Sequence, residues 1–423
     1  MMLRLLSINL LFLLSSCSYI VNSFDNDILK ENSIDPIHPT QKTTCDIIQK
    51  NILISESAEA QNTFQSLVKE VTKSSYLSFI EQSVLWSLVQ MNYRPDLSSP
   101  SAKLQVMIKN KGVTTYYNSY TTSGQGYPYI YLLEQLLKEY KSKKSIMSLA
   151  KIYDEKIKSN IIVNTELERF LSMNNDKIKS NKYLKARLMR GDETLRVGER
   201  LPKVNMTYLV RKYLKTKKSH RYKVRNFLFD TTSTTKKKLK CNFDMTLYNN
   251  SVFLIHPEKV TSNTWGIKKQ NQVFFATSSQ KLDGLKTIDR TILLRGNSNS
   301  RSPSMCIQEN EKKEQVWLIS SRSRDPGQHL HHLQQYGVAD IDNLSELDTL
   351  LKFSRHQFLK DPVRLVIESR RSSDAQLSEL LKLNIPIYNA KSLGKIWAYY
   401  ENKKEFSFVL DERVPGYLEC NSQ

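Results

Sequence analysis

Two segments in the last quarter of the chain share one order of apolar and polar positions. Residues 316–319 form a short apolar run, residues 320–324 are rich in Ser and Arg, and Asp325-Pro326 then gives a helix-start signal. Residues 363–367, 368–372 and 373–381 repeat this order, and an apolar stretch at 385–388 follows. Each copy predicts a strand, a loop and a helix. We therefore expect a parallel or mixed sheet, and if the strands of the two copies are neighbours in it, both loops open on the same sheet edge.

The rest of the pattern divides the chain into an α-rich and a β-rich part. Apolar residues recur at helical spacing over residues 43–91 and 130–171, with a strand at 104–108 and a tyrosine-rich loop at 116–131. Beyond residue 241, Asn249-Asn250 predicts a hairpin turn, and strands are expected at 273–276, 291–294 and 406–410. The predicted fold class is α+β or α/β, with an α-rich N-terminal part followed by a C-terminal mixed sheet that contains the two strand–loop–helix units.

Composition and pattern together suggest five regions. We expect a signal peptide over 1–16, a tether over 17–42, a mostly helical domain over 43–175, a basic connecting segment over 176–240 and an α/β domain over 241–423.

The basic segment carries most of the charge excess. Residues 177–240 hold 21 Lys and Arg against 4 Asp and Glu, whereas the whole chain has a net charge of +21. Apolar and basic residues alternate at 206–210 and 222–225, which predicts strands with one exposed basic face. One interpretation is a solvated charged surface. The other is a surface that binds anionic lipid headgroups, lipopolysaccharide or a wall polymer.

The N-terminus resembles that of a bacterial lipoprotein precursor. Arg4 precedes an apolar run at 5–14, which is too short to span a bilayer, and Leu14-Ser15-Ser16-Cys17 follows like a lipobox. The resemblance implies that Cys17 is lipidated and that, with Ser18 next, the protein stays at the outer membrane. Cytoplasmic nucleic acid is then an unlikely partner class. The alternative is an ordinary secretory signal in which Cys17 has no role.

Four further cysteines fit an oxidising compartment. Cys45, Cys241, Cys306 and Cys420 are widely spaced, which favours two disulfides over a metal site and allows three pairings. We favour Cys45 with Cys420, which would tie the two ends of the mature chain together, and Cys241 with Cys306.

The two Ser/Arg loops are the first candidate site. If both leave one sheet edge toward helix N-termini, their side chains can clamp a phosphate or carboxylate. The residues concerned are Ser321, Arg322, Arg324, Ser369, Arg370 and Arg371. The alternative is that the arginines form ion pairs with carboxylates of the fold.

Histidines on the first predicted helix are the second candidate. His329 and His332 are three residues apart and share a helix face, but a metal site would need a third ligand such as His256 or His356. Polar side chains beside the apolar face of Leu330 and Leu333 are the commoner arrangement. The sequence therefore predicts neither a metal nor a cofactor, and serine catalysis has no Gly-x-Ser-x-Gly motif to support it.

The last 180 residues or so also resemble one half of the phospholipase D-like fold. Asn402 stands in the place of that family's nucleophilic histidine, followed by Lys404 and Asp411. The resemblance implies the fold without working catalysis.

Two functions therefore remain. The first is a lipid-anchored, non-enzymatic envelope protein that binds anionic lipid or polysaccharide through its basic surface. The second is a hydrolase of phosphate-containing envelope material.

Replacing Cys17 by Ser tests the anchor. The variant should take up no palmitate analogue in cells, because the thiol that receives the lipid is gone, whereas the unaltered chain should be labelled. Equal labelling of the two chains would contradict the lipobox interpretation.

Overall fold

The fold is known from a computed structural model. It describes residues 41–42, 51–95, 97–121, 126–157, 161–163, 165–229, 246–248, 251–253, 262–280, 287–288, 291–294, 303–309, 315–323, 325–359, 363–403 and 405–421.

The described residues contain eleven α-helices. They are α1 (Ala58–Thr72), α2 (Phe79–Tyr93), α3 (Pro128–Glu139), α4 (Ile146–Lys156), α5 (Thr165–Met173), α6 (Asn175–Lys179), α7 (Lys182–Leu188), α8 (Met206–Thr216), α9 (Pro326–Gln335), α10 (Leu344–Lys352) and α11 (Asp374–Leu381).

The strands are mostly short. They are β1 (Gln41–Lys42), β2 (Asn51–Ser55), β3 (Lys103–Asn110), β4 (Val113–Thr121), β5 (Ile161–Ile162), β6 (Met189–Arg190), β7 (Glu193–Thr194), β8 (Arg200–Leu201), β9 (Tyr222–Phe229), β10 (Thr246–Tyr248), β11 (Ser251–Phe253), β12 (Asn263–Lys269), β13 (Gln272–Ser279), β14 (Thr287–Ile288), β15 (Thr291–Leu294), β16 (Ser304–Glu309), β17 (Gln315–Ser321), β18 (His356–Leu359), β19 (Arg364–Ile367), β20 (Ile387–Asn389), β21 (Lys395–Glu401), β22 (Phe406–Val409) and β23 (Tyr417–Asn421).

Two large sheets organise the molecule. The first has eight strands in the order β1-β23-β2-β12-β13-β3-β4-β9, and the second has four in the order β16-β17-β21-β22. All neighbours pair antiparallel except β1 and β23. The large sheet takes strands from both sides of residue 241, so the N-terminal and C-terminal parts of the chain share it.

The sheets pack face to face between two helical layers. Alternation along β17 shows this, because Trp317 and Ile319 pack between the sheets whereas Val316 and Leu318 pack against α9 and α10. On the other side, the outer face of the large sheet packs against helices α1 to α8. The order of layers is therefore helices, sheet, sheet, helices.

Helix α2 lies at the centre of the first helical layer. It begins with a capping box in which Ser78 and Glu81 exchange hydrogen bonds, and all of its residues are buried. Trp86 Nε1 donates to the carbonyl oxygen of Gly266 on β12 at 3.1 Å, which fixes the helix against the large sheet.

The predicted fold class and both strand–loop–helix units are confirmed. β17 leads through the first Ser/Arg loop into α9, and β19 leads through the second into α11 and then into β20, its parallel neighbour. The predicted strands at 104–108, 273–276, 291–294 and 406–410 are also present. β10 and β11 pair antiparallel, as the predicted hairpin requires, and its turn residues Asn249-Asn250 lie outside the described residues. The two units are not neighbours in one sheet. β17 lies between β16 and β21, whereas β19 lies between β18 and β20 in a separate sheet.

Three local predictions are wrong, each because too few residues were compared to show the true spacing of the apolar positions. β2 replaces a predicted helix, since its central residues Ile52, Leu53 and Ile54 are buried on both faces and are therefore all apolar. β4 replaces the predicted tyrosine-rich loop, with Tyr116 and Tyr117 packing on opposite faces. α8 replaces a predicted strand, since its buried residues follow helical spacing, namely Met206, Leu209, Val210 and Tyr213.

The cysteine pairing stays a prediction. Cys45 and Cys241 lie outside the described residues, and Cys306 and Cys420 pack against different hydrophobic clusters, which does not fit a bond between these two. None of the helices within the described ranges is long and apolar enough to cross a bilayer.

Gly266 tests how tightly the two sheets pack. A Cβ atom there would lie 2.9 Å from Phe408 Cζ and 3.0 Å from Ile54 Cγ1. Gly266→Ala should lower the free energy of unfolding by about 1–3 kcal/mol, measured by urea denaturation.

Phe408→Leu removes the closest atom and supplies the control. In the Phe408→Leu background the same Gly266→Ala change should cost less, which a double-mutant cycle measures. Equal costs in both backgrounds would show that this contact does not limit the packing.

Candidate functional site

One end of the sandwich brings together polar residues from both sheets. β2 ends at Ser55 and is followed by Glu56, β12 begins at Asn263, β17 ends at Ser321 and β21 begins at Lys395. Because these strands pair antiparallel, the end of one lies beside the start of the next. We call the residues that face the space between the sheets at this point the polar end, namely Glu56, Ser262, Thr264, Ser321 and Lys395.

Glu56 is the central carboxylate of the polar end. Its Oε2 lies 3.0 Å from Arg94 NH1 and 3.1 Å from Arg322 NH2, and its Oε1 accepts from Lys395 Nζ. The amide of Thr264 also donates to Oε1 at 3.0 Å. The Glu56 side chain is only 2% exposed, so one buried carboxylate joins α2, both large sheets and the first Ser/Arg loop.

Lys395 is completely buried and contacts a hydroxyl group. Its Nζ lies 2.8 Å from Thr264 Oγ1. Burial lowers the pKa of Lys395 to about 8, because the lowering by desolvation, with help from Arg322 and Arg94, exceeds the raising by Glu56. A neutral amine is therefore accessible near physiological pH, at hydrogen-bond distance from a threonine hydroxyl. Such a pair can transfer a proton.

A second network of uncharged side chains lies directly behind this pair, on the helical side of β12. Asn263 Nδ2 donates to Gln90 Oε1 at 3.1 Å and to Ser98 Oγ at 2.9 Å. Ser98 in turn contacts Ser278 Oγ at 2.7 Å. These bonds fix the start of β12 against α2, so the positions of Ser262 and Thr264 are set from both faces of the sheet.

Several buried polar atoms near the polar end have no hydrogen-bond partner. They are the hydroxyl groups of Ser262, Ser320, Ser321 and Ser323 and the Oδ1 atom of Asn263. A buried polar group without a partner costs about 1–3 kcal/mol, and native proteins contain few of them. Of these residues, Ser262 and Ser321 belong to the polar end, so two of its hydroxyl groups have no hydrogen-bond partner within the protein.

The first Ser/Arg loop lies at this site. Ser321 pairs with Lys395 in the sheet register, and Arg322 forms its ion pair with Glu56. Arg322 also has a φ of 56°, the left-handed conformation that costs a non-glycine residue free energy and is often found at functional sites. Arg324 lies outside the described residues.

The second Ser/Arg loop is oriented differently. Ser369, Arg370 and Arg371 form a short 3-10 turn in which Arg370 is exposed and Arg371 pairs with Glu412 at 2.5 Å. Because β17 and β19 are in different sheets, the geometric reason for a shared anion site between Arg322 and Arg370 is lost. A ligand role for the second loop stays a prediction.

The histidines form a buried cluster beneath α9. His332 and His356 have ring centroids 3.9 Å apart, and His329 and His332 are 6.5 Å apart. Burial lowers the pKa of His329 and His332 well below the usual value and that of His356 to about 4, so all three are neutral at pH 7. In the part of the chain that the structure describes, no group of three or more His, Cys, Asp or Glu residues has metal-binding geometry. His256 lies outside that part.

A buried ion network lies beside the histidines. Arg413 binds Glu368 at 2.6 Å and Asp411 at 3.2 Å, and Arg355 binds Asp411 at 2.7 Å. The two arginines lower the pKa of Asp411 to about 2, although burial alone would raise it. Asp411, which the phospholipase D-like resemblance singles out, is therefore a structural anion.

Sequence reasoning missed Glu56, Arg94, Thr264 and Lys395. One of its candidates, Arg322, lies beside them. The only local signals are polar triplets at strand ends, Ser55-Glu56-Ser57 and Ser262-Asn263-Thr264. Such triplets are common in loops and carry no distinctive spacing.

Comparison with solved structures finds proteins that share the fold of this chain. The chain is similar to LmbA2991HD, with a TM-score of 0.60 and 9% identity over 90% of this chain and 100% of that chain. It is also similar to the cephalosporin acylase from Bacillus halodurans, with a TM-score of 0.56 and 8% identity over 90% of this chain and 98% of that chain. At such identities the similarity shows the fold alone. No family model matches the chain, and no curated protein does either. The phospholipase D-like resemblance gains no support from these comparisons.

The buried histidines predict acid sensitivity. Their pKa is lower in the folded chain than the ordinary value near 6.5, so the unfolded chain binds more protons below that pH. The contribution of these histidines to the free energy of unfolding should be constant above about pH 6.5 and fall by about 1.4 kcal/mol per pH unit for each histidine, down to about pH 4 for His356. Asp411 contributes only at lower pH, because its pKa shifts from an ordinary value near 4 to about 2.

His356→Phe should reduce this slope by up to about 1.4 kcal/mol per pH unit, the contribution of one histidine, because an aromatic ring is kept and the titrating group is lost. His220→Phe, at a partly exposed position, is the matched control. Urea denaturation between pH 7.5 and 4.5 measures both. A slope unchanged by His356→Phe would contradict the assignment.

Proposed function

We propose that the polar end is an active site that cleaves or transfers an acyl group, with Thr264 as the nucleophile and Lys395 as the general base. The observation that carries the proposal is the contact of 2.8 Å between Lys395 Nζ and Thr264 Oγ1. The similarity of the fold to a cephalosporin acylase supports amides as the substrate class.

The proposed reaction begins with the neutral amine of Lys395. It accepts the proton of the Thr264 hydroxyl while Oγ1 forms a bond to the carbonyl carbon of the substrate. The resulting tetrahedral intermediate collapses as the protonated lysine gives its proton to the leaving amine nitrogen, and an ester on Thr264 remains. Water, deprotonated by Lys395, then hydrolyses this ester and restores both residues.

The surrounding residues have supporting roles in this proposal. Glu56 holds Lys395 and Arg322 in place, and Thr277 Oγ1, 3.2 Å from Thr264 Oγ1, orients the nucleophile. The unpartnered hydroxyl of Ser262 lies two residues before Thr264 and therefore on the same face. It is placed to donate to the oxyanion as charge develops there.

The cellular location of the protein is also a proposal. Export and lipidation at Cys17 rest on the sequence resemblance, and they would place the site in the cell envelope. The envelope-binding function expected from the basic segment is a separate property and does not require the polar end.

Reaction with p-nitrophenyl acetate tests the nucleophile. The unaltered chain should gain one acetyl group on Thr264, located by peptide mass spectrometry, and release nitrophenol faster as pH rises through about 8, where Lys395 loses its proton. Thr264→Val and Lys395→Met should lower kcat/KM at least about 100-fold, whereas Thr264→Ser should retain most of it.

Thr114→Val is the matched control. Thr114 is also a buried threonine of the large sheet, but its hydroxyl has no partner, so the change should leave both activity and stability nearly unchanged. Thermal unfolding of every variant separates loss of fold from loss of chemistry. Undiminished turnover in folded Thr264→Val, or acetylation at another residue, would refute the mechanism.

A further inference from the structure

A second surface lies away from the polar end, on the outer helical layer. Residues 177–229 hold 17 Lys and Arg against 3 Asp and Glu. Ten exposed cations belong to the helices, short strands and turns of this layer, and they form what we call the basic face: Lys177, Lys179, Lys182, Lys185, Arg190, Arg196, Arg200, Arg211, Lys215 and Lys218.

The acids of this region neutralise only a small part of the charge. Asp192 pairs with Lys185 at 3.1 Å, Glu193 with Arg196 at 2.7 Å and Glu199 with Arg190 at 3.0 Å. Glu134, from outside this region, also pairs with Lys217 at 3.1 Å. These four ion pairs involve four of the seventeen cations. The basic face therefore attracts anions over its length, an effect that salt screens.

Exposed apolar side chains are interspersed with these cations. Ile162, Met173 and Val197 are 48%, 77% and 51% exposed. β5 pairs with β8, the amide of Gly198 donates to the carbonyl oxygen of Val163 at 3.0 Å, and α5 contacts β7. The three apolar residues therefore belong to one small unit, residues 161–201, which also carries seven of the exposed cations.

We infer that the basic face docks on an anionic lipid bilayer. A soluble polyanion binds a basic surface through charge alone and gains nothing from exposed Met, Ile or Val side chains. A bilayer surface offers both negative headgroups and an apolar layer just beneath them, which suits cations interspersed with apolar residues. The predicted anchor at Cys17 would hold the chain within reach of such a surface, and a basic surface is a common second signal beside a lipid chain.

Vesicle co-sedimentation of the full chain carrying Cys17→Ser tests the inference without an attached lipid. Binding should be strong to phosphatidylcholine mixed with phosphatidylglycerol and weak to phosphatidylcholine alone. Replacing Lys179, Lys182 and Lys218 by Glu should weaken binding to the anionic vesicles by about 100-fold or more, because each cation near the surface contributes several-fold. The same change at three other exposed lysines, Lys69, Lys391 and Lys403, is the control of equal charge and should have a much smaller effect.

The apolar residues distinguish a bilayer from a polyanion. Met173→Gln with Val197→Thr should lower the fraction of protein that stays bound at high salt, whereas Phe353→Gln with Leu381→Gln, at exposed apolar positions elsewhere, should not. If the Met173/Val197 variant binds as well as the unaltered chain at high salt, the partner is an anionic polymer and not a bilayer. If the chain binds neutral and anionic vesicles equally, or if both lysine variants lose the same amount of binding, the basic face is not the docking surface.

Discussion

The ion pairs of Glu56 connect parts of the fold that meet at one end of the two sheets. Between the sheets lies a close-packed apolar layer of large side chains such as Trp317 and Trp397. The charges at its end add a constraint, because a buried charge that loses its partner is left in a medium of low dielectric constant at a cost of about 3–5 kcal/mol. Glu56 therefore fixes the relative position of the sheets at one end.

The start of β21 is held from a second side by the ion network. Glu368 accepts from the backbone amide of Leu393, and Asp411 Oδ2 accepts from the amide of Ile396 at 2.8 Å. Lys395 lies between these two anchored amides, with its side chain bound to Glu56. The position of Nζ is thus determined by three carboxylates from distant parts of the chain. Such support is what a general base needs, since a displacement of about 1 Å can cost two orders of magnitude in rate.

Local physics explains which features were predictable from the sequence. The two strand–loop–helix units carry helix caps, such as Ser373 with Gln376, at fixed offsets, and the hairpin at Asn249-Asn250 has a turn signal of its own. Both kinds of signal act within a few residues. The prediction of a strand around Met206 failed because five residues cannot distinguish helical from strand periodicity, whereas the full eleven residues of α8 can.

The candidate site was hidden for a different reason. Glu56 and Lys395 are separated by 339 positions, and Thr264 lies 131 positions from Lys395. Nothing in the neighbouring residues of Lys395 marks it as buried or as a proton acceptor, because its lowered pKa arises from packing between the two sheets. Arg322 was found because arginines cluster in its loop, but its partner Glu56 was not. Sequence reasoning located one member of the site and missed the contacts that define it.

The polar end and the basic face are connected through the large sheet. β12 begins at the polar end, and the antiparallel order β12-β13-β3-β4-β9 places the start of β9, at Tyr222, at the same end of the sheet. Four strand intervals separate the two points, which is about 20 Å at the usual spacing. Arg221 and Lys223, both exposed, flank Tyr222. Tyr222 packs on the helical side of the large sheet, so by alternation Lys223 lies on the other side, away from the helices that carry the basic face. The two proposed functions therefore use opposite sides of the large sheet, with the polar end between the two sheets and the basic face on the helical layer.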